Sequence, residues 1–464
     1  MTKTNPVTQE LFRIQIEKID SQGDGIARDS AGKIVFVEGA LPGEIILARK
    51  ILEKKDYSRA RIVRVETRNP RRVQPFCPYY IRCGGCQLQH ASYDLQLEMK
   101  KSVIEDAFSR IAKIVPSNAI SPVRPCSLQA GYRNKVALPV SRSASPGGIE
   151  IGYYRKRSHR LVDIDRCPVA MPSLNTFLAE MKAALPSVGL VPFDERSGEG
   201  ILRHVVLRGG QETGEVLVIL VVHRYPDPSV TERVVRLARR LRKRHPCLAG
   251  LVLNLNPSGG NSIFGTSSKG LSGRTFFIEK YDNFEFKFEA TSFSQVNSAQ
   301  AAELYRTAAR EACPKGSERV LELYSGVGTL TCFLSARASR VVALEEWEPS
   351  VECLRENLIR NKLSNVDVLS GAAEKTDWDI KGPVDTIVVD PPRSGLHPSV
   401  TDSIKELAPD RIVYVSCNPS TLARDIGALC NGGGYSLCKV LPFDLFPQTS
   451  HVESVAILDR PFSS

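Results

Sequence analysis

Arg411-Ile-Val-Tyr-Val-Ser-Cys417-Asn-Pro-Ser-Thr421 is the stretch on which both the fold and the chemistry turn. Residues 411 to 415 are a short apolar run rich in β-branched side chains, the pattern of a buried strand. Asn418 and Pro419 end it at once, which leaves Cys417 at the strand's carboxyl end. Ligands of open α/β sheets bind outside those ends. A free cysteine is more often a buried, inert residue, so Cys417 draws its meaning from its neighbours.

Upstream, from about residue 289, strands and helices alternate, the sign of a parallel sheet. Val320-Leu-Glu-Leu-Tyr-Ser-Gly326-Val-Gly328-Thr is a strand, a glycine turn and a helix start. Arg340-Val-Val-Ala-Leu-Glu345 is a second strand, ending in a carboxylate 19 residues after Gly326. An acid so placed typically holds a ribose diol. Asp385-Thr-Ile-Val-Val-Asp390-Pro-Pro-Arg393 is a third, its terminal acid followed by two rigid prolines. Glu453 precedes the apolar run Val455 to Leu458, where a surface carboxylate would be unremarkable.

The first part of the chain is different. Residues 8 to 68 alternate short strand-like runs with Gly and Pro turns, as in a small barrel. From Arg49 to Arg72 there are ten basic residues against three acids, a charge balance suited to phosphates. Cys77-Pro-Tyr-Tyr-Ile-Arg-Cys83-Gly-Gly-Cys86 brings three thiols together, and Cys167 in Asp165-Arg-Cys-Pro-Val is the best candidate fourth ligand. Four sulfurs suit zinc or an iron–sulfur cluster. Residues 93 to 113 have helical spacing and are expected to pack on the last domain. Arg124 to Arg160 holds eight basic residues and one acid. There Gly131-Tyr-Arg-Asn-Lys135 and Tyr153-Tyr-Arg-Lys-Arg157 set aromatics among cations, able to stack on bases and hold phosphates. Glu232 to His245 reads as a helix with seven basic residues.

With 464 residues, two or three domains are expected. A net charge of +11 favours nucleic acid as partner, and 42% hydrophobic residues allow full cores. The apolar runs fall short of a membrane span, and Met-Thr-Lys-Thr-Asn-Pro lacks the apolar centre of a secretory signal. A cytoplasmic location is therefore expected.

Ser416-Cys417-Asn-Pro, Asp390-Pro-Pro-Arg393 and Phe446-Pro-Gln-Thr-x-His-x-Glu453 together resemble the motifs of the RNA 5-methyluridine methyltransferases. Gly25-Ile26 and Pro42-Gly43-Glu44 likewise resemble a TRAM domain, an RNA-binding barrel. The resemblance implies an α/β protein in three parts. These are a TRAM barrel (8–68), a central α+β domain with the cysteine site (69–288) and a Rossmann-like class I methyltransferase domain (289–464). It implies S-adenosyl-L-methionine as methyl donor, contacted by Gln295, Tyr324, Glu345 and Asp390, and a [4Fe–4S] cluster on Cys77, Cys83, Cys86 and Cys167. Cys417 matches the nucleophile and Glu453 the general base. Where some members carry an Asn after the third strand, this chain has Gly371-Ala-Ala373, so an adenine-side contact is missing or comes from backbone. The barrel and cysteines together look most like the branch acting on 23S ribosomal RNA, with transfer RNA as the alternative and a non-catalytic RNA-binding protein third. A monomer is expected, acting on RNA without membrane or protein partners. An amino-group methyltransferase is disfavoured, because Arg393 stands where its motif has an aromatic. A thiol of ordinary pKa, roughly 8.5, also needs an activating neighbour, which the sequence does not name.

Overall fold

A computed structural model describes residues 11–461 apart from 115–118, 144–147, 261, 376–377, 379, 381 and 432–433. The N-terminal hexapeptide, barrel residues 8–10 and residues 462–464 lie outside the described residues.

The leading segment folds into six strands: β1 (Leu11–Gln15), β2 (Lys18–Ile19), β3 (Asp24–Arg28), β4 (Ile34–Glu38), β5 (Ile45–Glu53) and β6 (Tyr57–Thr67). They form one sheet in the order β1-β5-β6-β4-β3-β2. Alternate residues of these strands, among them Ile14, Val35, Val37, Ile46 and Ala48, meet in a small core of their own. The cysteine segment follows, then α1 (Tyr93–Ala107), which ends in a single wide turn over Phe108–Ala112.

A second sheet is built from β7 (Lys135–Arg142), β8 (Ile149–Tyr154), β9 (Leu161–Asp163), β10 (Leu202–Gly209), β11 (Val216–Val222), β12 (Leu248–Leu255) and β13 (Ser267–Gly273). Helices α2 (Pro172–Val188) and α3 (Pro228–Arg244) cover one face of it. Strand β11, Val-Leu-Val-Ile-Leu-Val-Val, is buried along its whole length. Its pleat divides it: Val216, Val218, Leu220 and Val222 pack with the two helices, and Leu217, Ile219 and Val221 pack on the other side. That other side joins the hairpin β14 (Phe276–Tyr281) and β15 (Phe284–Glu289) and the helix α4 (Ser298–Ala312), so the central sheet shares a core with the C-terminal part.

The C-terminal sheet comprises β16 (Arg319–Leu323), β17 (Arg340–Glu345), β18 (Val366–Ser370), β19 (Thr386–Val389), β20 (Arg411–Ser416), β21 (Ser436–Phe443) and β22 (Glu453–Asp459). Its order is β18-β17-β16-β19-β20-β22-β21. The first five run parallel, with α5 (Thr329–Ser335), α6 (Glu348–Arg360) and α7 (Pro398–Leu407) between them and α8 (Pro419–Cys430) joining β20 to β21, while β22 lies antiparallel to β20 and β21. Alternation along the strands feeds two cores: Val388, Val413 and Val455 face α4, whereas Ile387, Ile412 and Ala456 face α8. Ile104, Ala107 and Phe108 of α1 and its wide turn belong to this second core, so α1 packs on the C-terminal sheet's helical layer.

One buried ion pair fastens α1 to the chain entering β22. Lys100 Nζ meets Asp444 Oδ1 at 2.5 Å, both side chains fully buried, and also donates to the Phe446 carbonyl at 3.1 Å. Removing one partner strands a charge in a low dielectric, which costs about 3–5 kcal/mol. Lys100→Met should therefore lose about that much in urea unfolding, and Lys100→Met/Asp444→Leu should recover most of it. Equal midpoints for Lys100→Met and the parent would show that the pair contributes nothing net.

Candidate active site

The carboxyl ends of the parallel strands make one rim. After β16 comes Tyr324, held at φ 64°, then Gly326 and Gly328 at φ 57° and 84°. A Cβ on Gly328 would stand 2.9 Å from Leu354 Cγ of α6, so the turn closes only with glycine there. Beside it Glu345 ends β17, and its two carboxylate oxygens accept from Gly326 N and Trp347 N, each at 2.9 Å. The acid thus fixes the glycine turn while keeping lone pairs for a ligand. Tyr324 Oη donates to Glu374 Oε1 at 2.9 Å. At the divergent stretch, Gly371 N donates to the Glu345 carbonyl at 2.9 Å.

Strand register assembles the rest. Val389 pairs with Tyr414, so Asp390 follows on the same rim as the end of β20. Ser416 pairs with Ser454, which sets Cys417 and Glu453 one step beyond the last cross-strand pair, facing each other. Glu453 is only 2% exposed, not the surface residue its local sequence suggests. Tyr324, Glu345, Asp390, Cys417 and Glu453 thereby share one edge of one sheet. Gln295 is buried in the loop before α4, with its carbonyl accepting from Asn134 Nδ2 at 3.0 Å. On the same loop Phe293 is 68% exposed and offers a free aromatic face.

The neighbour the thiol needs is Arg393. Its carbonyl is tied to the start of α8 by Asn418 Nδ2 at 3.0 Å and Thr421 Oγ1 at 3.4 Å. Its positive charge acts on both the Cys417 thiol and Glu453. Asp-Pro-Pro-Arg is visible in the sequence, but nothing there says that the arginine reaches a thiol on the next strand. Burial, with Glu453 second, pushes the Cys417 thiol up to about 11, and Arg393 is the group opposing that rise. Burial also raises Asp390 to about 7, and raises Glu453 well above the carboxylate range with Asp390 adding to it. Glu322, under the glycine turn, is raised to about 8 by burial, with Asp390 and Glu345 contributing. Glu322, fully buried, and Asp390, half-buried, have no cation among the groups that act on them, so the deep end of this pocket favours positive charge.

Cys77, Cys83, Cys86 and Cys167 line one cavity of about 240 Å³, which Arg133 also faces and which extends to Arg393 and His451. Among the described residues no three His, Cys, Asp or Glu side chains converge tightly enough for a single ion. A cubane binds each thiolate through a different iron and tolerates a wider set. The loop before Glu453 borders this cavity through Phe446, Thr449 and His451. Gln87 N and Leu88 N of the cysteine segment donate to the Gln448 carbonyl at 3.0 and 2.9 Å, Gln448 N donates to Gln96 Oε1 at 2.9 Å, and Tyr132 Oη donates to the Pro447 carbonyl at 2.9 Å.

Comparison with known proteins gives a consistent picture. Residues 211–461 match the family model of tRNA (uracil-5-)-methyltransferases, and residues 9–63 match the TRAM domain. An uncharacterized RNA methyltransferase of Gloeobacter violaceus is 39% identical over 97% of each chain. Another, of Halalkalibacterium halodurans, is 37% identical over 97% of each. The Pyrococcus abyssi tRNA (uracil-54, C5)-methyltransferase, solved with S-adenosyl-L-homocysteine, superposes with a TM-score of 0.75 at 28% identity, covering 96% of this chain and 99% of its own.

The buried acids make a measurable signature. Asp390 and Glu322 titrate near 7 and 8 when folded, and near 4 as ordinary unfolded carboxyls. The folded state therefore binds more protons between those values, and stability must fall as pH rises. The unliganded protein should lose melting temperature between roughly pH 5 and pH 8, and Asp390→Asn should flatten that decline. A parallel pH dependence in parent and variant would remove Asp390 as its source.

Proposed function

The chain belongs to the tRNA (uracil-5-)-methyltransferase family, and from that premise we propose that it methylates C5 of a uridine in RNA through a covalent adduct to Cys417. The observation that carries this reading is the facing of Cys417 and buried Glu453 across β20 and β22, with the Arg393 guanidinium at both.

C5 of uracil is a weak nucleophile and its hydrogen is not acidic. Cys417, as thiolate, adds to C6 and turns C4=O, C5 and C6 into an enolate with a nucleophilic C5. Arg393, exposed at the rim, stabilises the thiolate by its positive charge. S-adenosyl-L-methionine supplies the methyl group on a positively charged sulfur, and Gln295, Tyr324, Glu345 and Asp390 are the residues proposed to hold it. A cation next to Asp390 and Glu453 favours their ionised forms, which readies Glu453 as base. Once C5 carries the methyl, Glu453 takes its proton, the C–H electrons restore C5=C6, and the C6–S bond breaks to return the thiolate. The rim admits a base only if that base leaves its stack, and exposed Phe293 is suited to replace the lost stacking.

The target proposed is 23S ribosomal RNA, on the likeness of the barrel and thiol set to that branch. Transfer RNA is the second reading, favoured by the shared layout with the Pyrococcus abyssi enzyme along 96% of the chain. RNA from cells lacking this protein, incubated with labelled S-adenosyl-L-methionine, should gain 5-methyluridine at one site, and mapping that site assigns the RNA. Cys417→Ala should abolish transfer. Glu453→Gln should accumulate a protein–RNA adduct stable on a denaturing gel, because methylated C5 keeps its proton. RNA carrying 5-fluorouridine should trap the parent in the same way, but not Cys417→Ala. Turnover by Cys417→Ala at the parent rate would end the covalent reading.

We further propose that the four thiols hold a [4Fe–4S] cluster. The four-sulfur donor set lining one cavity fits it, as does the half-buried Arg133 beside them, since a cubane with four thiolates is anionic. When bound, the group cross-links the cysteine segment to the central sheet. Protein purified without oxygen should be brown and contain about four irons per chain. Stoichiometric zinc without iron would overturn the assignment.

A further inference from the structure

A groove of about 570 Å³ lies between the barrel and the turn that joins β8 to β9. Its inner end is formed by Ser450 and His451, from the loop leading to Glu453. Its floor is the Gly84-Gly85 backbone of the cysteine segment, where Gly84 N donates to the Tyr154 carbonyl at 3.0 Å. One wall is Gln22 and Arg59 of the barrel, and the other is Tyr153 to Arg157.

The chemistry of the walls is selective. Asp24, fully buried, lies beneath and accepts from Arg59 Nη1 at 2.9 Å, from Lys156 Nζ at 2.7 Å and from Arg157. Glu38 stands farther off, 3.8 Å from both Lys156 and Arg157, and Asp20 adds a third acid beside Asp24. One hidden carboxylate thus orients three cations whose outer faces remain available, the Arg157 side chain being 41% exposed. Arg155 pairs with no carboxylate among the described residues, and its buried Nε finds no hydrogen-bond partner there. Tyr154 is 43% exposed, and among the described residues the one aromatic ring against it is His159, edge-on. Oriented cations, an unused guanidinium and a free aromatic ring are what a single nucleic-acid strand requires, phosphates on the first two and a base on the third. A duplex offers no free base face to Tyr154.

We propose that this groove holds the single-stranded RNA immediately flanking the reacting uridine, with a base stacked on Tyr154 and phosphates on Arg155, Arg157 and Arg59. The assignment rests on the reading of the chain as an RNA methyltransferase. It extends that reading from the reacting base to its neighbours, and it requires the target uridine to lie in an unpaired segment.

The test uses the full chain and a short fluorescein-labelled oligouridine, with anisotropy titrations over a range of salt. Tyr154→Ala should weaken binding about tenfold at every salt concentration, and Tyr154→Phe should restore it. Arg155→Ala should weaken binding and lower the slope of log affinity against log salt by about 0.7, the value for one phosphate contact on a single strand. The KM for RNA should rise in step for both weakened variants. Parent-like affinity and slope in Tyr154→Ala and Arg155→Ala, with methyl transfer intact, would overturn the groove and leave the function standing. Oligouridine binding that depends on these residues, in a parent protein that transfers no methyl, would overturn the function and leave the groove.

Discussion

The antiparallel return of β22 alongside β20 is the constraint on which the site depends. A parallel sheet ends all its strands on the same rim, so each parallel strand can deliver a side chain only as it leaves the sheet. Reversing the last pair lets a strand deliver a side chain as it enters. Cys417 comes out of β20 and Glu453 goes into β22 at the same level, fixed by the Ser416–Ser454 pair. A slip of one residue would turn Glu453 to the opposite face and exchange the two cores on either side of β22. Since Val455 and Ile457 are buried on one face and Ala456 and Leu458 on the other, packing strongly opposes that slip.

The loop that feeds β22 is held from several directions at once. Ser450 Oγ donates to the Ser21 carbonyl of the barrel at 2.9 Å, the cysteine segment and α1 bind Gln448, and Lys100 meets Asp444. Gln448 itself sits at φ 72°, a conformation a non-glycine residue keeps only when its surroundings insist. The barrel and the thiol segment are therefore structural supports of the proposed base. This arrangement explains why parts so distant in sequence occur together in one chain.

Some of this was legible in the residues alone. Apolar runs ended by Gly, Pro or Asn marked the strand ends at Tyr324, Glu345, Asp390 and Cys417, because a parallel strand buried on both faces is nearly uninterrupted in sequence. The barrel's turns and the helix over α1 were readable for similar reasons of periodicity. The antiparallel pairing of β22 was not, since Val455 to Leu458 looks the same whichever neighbour it takes. Hence Glu453 read locally as a surface residue, and its burial follows only from the register. Arg393 was missed for a related reason. Its partner lies across a strand and 24 residues along the chain, a separation that no periodicity encodes.

The electrostatics of the rim follow from the same geometry. Converging strand ends bring Glu322, Asp390 and Glu453 into a dry space, where each raises the cost of ionising the next. Glu322 Oε2 and Ser325 Oγ are buried there without hydrogen-bond partners among the described residues. Folding alone gains nothing from such groups, and replacing them by apolar side chains of similar size would serve stability better. Local rules broken together at one place mark a site kept for binding. A positively charged ligand reaching the glycine turn and Asp390 together favours the ionised acids, and a sulfonium carried on a nucleoside has that charge and reach. Arg393 is the protein's own cation at this rim, and it is directed at the thiol and Glu453 instead of the deeper acids. The division leaves the deep end of the pocket negative for the methyl donor and the outer end positive for a thiolate and the oxygens of a pyrimidine.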